Sequence, residues 1–167
     1  MKMFIIGFIV ATVSAAAQDA ESLRQPNKID LSGPRVGFSV LGGENAKEVK
    51  DRFSAGPMLS VFGWQVERQF LSTKEGLAGL AELVTAFAGV EQGAFLPSLT
   101  GIIGLRFADG IEFGVGPHIS LGGTAIVFAG GVTLQTESLN FPINAAVILG
   151  KGGTHFTFLV GFTTRSQ

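Results

Sequence analysis

From Gly104 to Leu121 the chain reads GLRFADGIEFGVGPHISL, with apolar and polar residues changing almost one by one. A period of two belongs to the β-strand, whose successive side chains leave opposite faces, so the stretch predicts two strands joined by a turn. Ile111, Phe113, Val115 and Ile119 share one face, and Glu112, Gly114, Gly116, His118 and Ser120 share the other. The split recurs downstream. Phe141, Ile143, Ala145, Val147 and Leu149 oppose Asn140, Pro142, Asn144, Ala146 and Ile148; Phe156, Phe158, Val160 and Phe162 oppose His155, Thr157, Leu159, Gly161 and Thr163. Upstream, Phe62, Trp64, Val66 and Phe70 oppose Gln65, Glu67 and Gln69, while Arg68 falls on the apolar face and requires an interface or a bulge.

Turn-forming residues divide the chain into eight such segments: 35–41, 58–71, 77–88, 96–107, 111–121, 124–135, 140–149 and 154–164. Turn chemistry sets their register, because a slip of one residue would turn every side chain over. If Ala108, Asp109 and Gly110 form a three-residue loop with Gly110 left-handed, Phe107 meets Ile111, Arg106 meets Glu112 and Leu105 meets Phe113, so like faces like. A two-residue Lys151-Gly152 loop pairs Ile148 with His155 and Val147 with Phe156. Two segments fit a helix as well. In 76–92, Leu77, Leu80, Ala81, Val84 and Ala88 make a helical stripe, and ENAKEVKDRFSAG reads as a short loop helix that packs Val49 and Phe53 downward. Pro97, Pro117 and Pro142 each remove a ladder donor, and Pro117 is the most disruptive.

Which face meets solvent is a matter of charge. Only 15% of the 167 residues are charged and 46% are hydrophobic, against roughly 25% charged in ordinary soluble domains. No lysine occurs between Lys74 and Lys151, and the less apolar strand face carries mostly Gly, Ser, Thr, Asn and Gln. Small polar residues suit the interior of a narrow barrel and bulky apolar ones suit surrounding lipid. Closing the sheet also pairs every edge, which lipid could not satisfy. The expected fold class is therefore all-β: an antiparallel up-and-down β-barrel of about eight strands, transmembrane. The opposite orientation, with the Phe-rich face inward, describes a soluble periplasmic lipocalin-like barrel binding an apolar ligand.

The N-terminus supports export. Lys2, the apolar run from Met3 to Val13 and Ala15-Ala16-Ala17 follow the order of a secretory signal, expected at residues 1–17. Residues 18–34 read as a polar arm and 35–165 as the barrel domain. The chain has no cysteine, so no disulfide or thiolate site is available, and a net charge of −1 gives no basic field for nucleic acid.

With this signal, eight segments near the ~9–11 residues of a membrane strand, dyad alternation and short turns, the chain resembles the small eight-stranded outer-membrane β-barrels of Gram-negative bacteria over residues 35–165. The resemblance implies residence in the outer membrane, with its lipid and its barrel-assembly machinery as partners, and a structural, interaction or narrow-conduit role. It departs from the pattern in having no tyrosine and one tryptophan, Trp64, so that the 15 phenylalanines must build the aromatic girdles. The terminal-strand aromatic can only be Phe162.

The lumen network is expected from Arg106, Glu112, His118, Ser120, Asn144 and His155, and the lipid face from Phe62, Trp64, Phe113, Phe141, Phe156, Phe158 and Phe162. Outer-membrane lipid A deacylases are similar in pairing His-x-Ser with a Glu, but here "HIS" runs on into Leu121-Gly122-Gly123 and the rest of that pattern is missing. Barrel lining is thus the expected role of Glu112, His118 and Ser120, with lipid hydrolysis as an alternative. His118 and His155 stand far apart without a nearby carboxylate cluster, so no metal or other cofactor is expected.

Overall fold

The computed structural model describes residues 30–136 and 138–164. The signal at 1–17 and most of the arm lie outside the described residues. Eight strands run β1 (Gly33–Leu41), β2 (Met58–Ser72), β3 (Ala78–Ala88), β4 (Leu96–Arg106), β5 (Ile111–Ser120), β6 (Gly123–Gln135), β7 (Leu139–Gly150) and β8 (Gly153–Gly161), with a two-residue β9 (Thr163–Thr164) beyond. Each pairs antiparallel with its neighbour in the chain, and β1 also pairs with β8, closing an eight-stranded up-and-down barrel. Beyond Phe162 the chain resumes pairing with β7 as β9, Thr163 opposite Asn140.

The hairpin registers agree with the turn chemistry. Arg106 pairs with Glu112 and Leu105 with Phe113. The Phe107 amide donates to the Ile111 carbonyl at 2.8 Å, and Gly110 closes the loop at φ +84°. Ile148 pairs with His155 and Val147 with Phe156 across the Lys151-Gly152 turn.

Both ambiguous segments are resolved by packing. Residues 78–88 form a strand that pairs along its whole length with β2 and β4; as a helix the segment would leave the facing edges of those two strands unpaired. A short 3-10 turn, Val90–Gln92, follows. The charged segment is helix α1 (Gly43–Phe53), with Val49 buried against Ala55 and Leu59 and with Phe53 beside them. Arg68 points outward and is exposed, and the expected bulge lies just past it, where Gln69 meets Leu80 but Leu71 meets Gly79.

One boundary differs from the sequence reading. Strand β1 opens at Gly33, not Arg35, and Leu31 is fully buried, so the polar arm does not stay exposed up to Pro34. At Pro117 the β4–β5 pairing lapses between Thr100↔His118 and Ile103↔Val115, yet the barrel stays closed because β6 still pairs opposite Pro117. Pro142 turns into the lumen and is fully buried, opposite Thr133.

Candidate functional site: an ionic floor beneath an apolar chamber

An even number of strands puts both ends of the barrel domain on one side, together with the short connections that follow β2, β4 and β6. There the lumen is filled by charge. Arg106, at the end of β4, donates from Nε to Glu112 Oε1 at 2.7 Å, from Nη1 to Glu67 Oε1 at 2.9 Å and from Nη2 to Glu67 Oε2 at 2.5 Å. Thr133 Oγ1 donates to Glu112 Oε1 at 3.0 Å. A guanidinium held by two carboxylates, one of them bidentately, is the strongest arrangement open to such groups, and it leaves neither Glu67 nor Glu112 as a bare buried charge.

Arg35 adds a second layer. Its Nε donates to Gln65 Oε1 at 3.1 Å, its Nη1 to the Pro34 carbonyl at 3.1 Å and its Nη2 to the Leu31 carbonyl at 2.7 Å. Gln65 Nε2 passes the chain on to Glu82 Oε2 at 3.2 Å. Carboxylate oxygens of Glu67, Glu82 and Glu112 all lie within 4.8 Å of one another. Two guanidinium groups therefore face three carboxylates, and Arg106 spans two of the three.

Above this floor the lumen opens into a chamber of about 170 Å³, walled by side chains such as Val61, Val84, Ile102, Val127 and Ile148. Gln65 and Glu82 form its base. Its mouth lies at the opposite end of the barrel, beneath α1 and beside the 121–122 turn. Helix α1 is fastened there at two points: Val49 enters the apolar cluster, and Asn45 reaches across to β8. Asn45 Nδ2 lies 2.6 Å from His155 Nε2, within hydrogen-bonding distance, and the Asn45 backbone N–H donates to the Gly152 carbonyl at 2.9 Å.

The predicted lumen residues all face inward, but in two separate groups. Arg106 and Glu112 belong to the floor, whereas His118, Ser120, Asn144 and His155 line the chamber. His118 Nδ1 lies 2.8 Å from Thr100 Oγ1, and no hydrogen bond joins His118 to Glu112 or Ser120 among the described residues. Glu112, bound to Arg106 and Thr133, does not orient the imidazole. The two histidines, far apart in sequence, line one chamber.

Arg35, Gln65, Glu67, Glu82 and Thr133 are the floor residues that the candidate set misses. Gln65 and Glu67 carry a readable signal, since both stand on the less apolar face of their segment. Glu82 is obscured by the helical alternative for 76–92, and Arg35 by its place at a segment boundary.

The seven predicted outer aromatics, Phe62, Trp64, Phe113, Phe141, Phe156, Phe158 and Phe162, are all exposed on the outer face. Stacked pairs join them to neighbours, with ring centroids 5.7 Å apart for Phe38 and Phe158 and 6.1 Å for Phe62 and Phe87. Comparisons of the chain with protein-family models, with curated proteins and with solved structures give no match.

Proposed function

We propose that this barrel is an integral outer-membrane protein with a structural or ligand-interaction role. One observation carries the reading. Among the described strand residues, Arg35, Glu67, Glu82, Arg106 and Glu112 turn inward, and Arg68 is the one charged side chain that points out. A soluble barrel has the reverse arrangement, and monomeric soluble proteins rarely expose apolar patches beyond a few hundred Å². Here Phe113, Ile103, Phe128 and Phe156 stand more than half exposed on different strands around the wall.

The lengths of the connections suggest an orientation. The longer ones, 42–57 with α1 and 89–95, lie at the chamber mouth, which is the extracellular arrangement in barrels of this size. The ionic floor then faces the periplasm and favours a dead-ended pocket over a conduit. The chamber's apolar walls are the feature that favours the lipocalin-like reading, but that reading leaves the outer aromatics in water.

Cell fractionation tests the proposal. The protein is expected in the outer-membrane fraction, extractable by detergent and shifted in gel mobility by boiling. A freely soluble periplasmic species would overturn it.

A further inference from the structure

We propose that the chamber is a binding site for a small organic amine, whose cationic head rests on Glu82 and whose apolar body lies against Val84, Ile102, Val127 and Ile148. Size comes first. An apolar cavity of about 150 Å³ holds a benzene-sized molecule, and this one measures about 170 Å³. Its walls are apolar where such a body would lie, and its base is a carboxylate.

Charge then selects the head group. Glu82 lines the chamber and has one hydrogen-bond donor, Gln65 Nε2, and no ion pair among the described residues. Both nearby guanidinium groups are engaged elsewhere: Arg106 by Glu67 and Glu112, Arg35 by Gln65 and two backbone carbonyls. At the mouth, Arg52 and Glu48 pair with each other at 3.3 Å. A bound ammonium group would give the Glu82 carboxylate a charge partner of its own. A neutral molecule of the same shape gains only the apolar contacts, and an acid adds like charge to three carboxylates. The order expected is amine, then alcohol, then carboxylate.

The inference rests on the chamber and not on what surrounds the barrel, which fractionation reports separately. Benzylamine, benzyl alcohol and benzoate are three probes of nearly one shape. They are titrated into the purified full-length chain in a non-ionic detergent near neutral pH, with binding read from the methyl NMR signals of Val84, Ile102, Val127 and Ile148. Saturable shifts are expected, with benzylamine tighter than benzyl alcohol by about tenfold or more, the weight of one charge-assisted hydrogen bond. Glu82→Gln, which keeps the shape and the Gln65 contact, should remove that preference. Ala146→Phe or Ala129→Phe, each filling the chamber from a different strand, should abolish the shifts while boiling still changes gel mobility. Equal binding of amine and alcohol, preference for benzoate, or shifts that survive both filling variants would overturn the proposal.

Discussion

Arg106 shows how one residue commits a barrel interior. Its guanidinium satisfies both Glu67 and Glu112, so Arg106→Ala would leave two buried carboxylates without their ion-pair partner. Removing one partner of a buried pair costs about 3–5 kcal/mol. Urea-unfolding midpoints should fall accordingly, and adding Glu67→Gln and Glu112→Gln should recover part of the loss. Glu91 illustrates the opposite case, a surface group held by hydrogen bonds. Ser60 donates to its carboxylate from both hydroxyl and amide, and these bonds pull its pKa down to about 2. A depressed carboxylate stabilises the folded state above its unfolded pKa, and that contribution disappears as pH falls through the folded value. The protection factor of the Ser60 amide, taken relative to its intrinsic exchange rate at each pH, should fall between about pH 4.5 and pH 2, and Glu91→Gln should flatten that dependence.

The elements obey the local rules that their turns impose. Gly110 adopts φ +84°, and a Cβ built there would stand 2.9 Å from the Thr133 carbonyl oxygen. Gly110→Ala therefore meets both left-handed strain and a backbone contact, and should lower stability by about 1–2 kcal/mol, read from thermal unfolding in detergent. Helix α1 is held to the barrel through Val49, with Phe53 beside it, and through Asn45, which meets His155 and the Gly152 carbonyl. Val49→Asp should release it, giving rapid proteolysis within 43–53 while the strands stay resistant. Retained resistance of 43–53 in that variant would show that the helix has other anchors.

For the whole molecule, the orientation of the two faces sets the behaviour. Ile103 sits mid-strand on the outer face, exposed, with Gly101 and Leu105 on the same side. Ile103→Arg should cost about 2–4 kcal/mol in lipid and reduce the heat-modifiable form in membrane extracts. A soluble barrel would tolerate the change, so unchanged yield and mobility would count against the membrane reading. Closure itself distributes the strain of Pro117: the β4–β5 gap is local because β5 keeps its ladder with β6.

The dyad pattern and the turn chemistry together determined seven of the eight strands, their phase and the register of two hairpins, because these depend on side-chain alternation and turn conformation within a few residues. Arg106 opposite Glu112 was legible for that reason. Which inward residues share a level of the barrel was not. Gln65, Glu67, Glu82 and Arg35 meet Arg106 and Glu112 only because closure through β1 and β8 and the stagger of the strands set the cross-section. Six residues of extended strand, at roughly 3.3 Å each, already hold His118 away from Glu112, whereas closure brings His155 to the chamber that His118 lines. Long-range packing also chose strand over helix for 78–88, where local periodicity had supported both. The division of the lumen into an ionic floor and an apolar chamber is thus a property of the closed barrel, since its members come from every part of the chain.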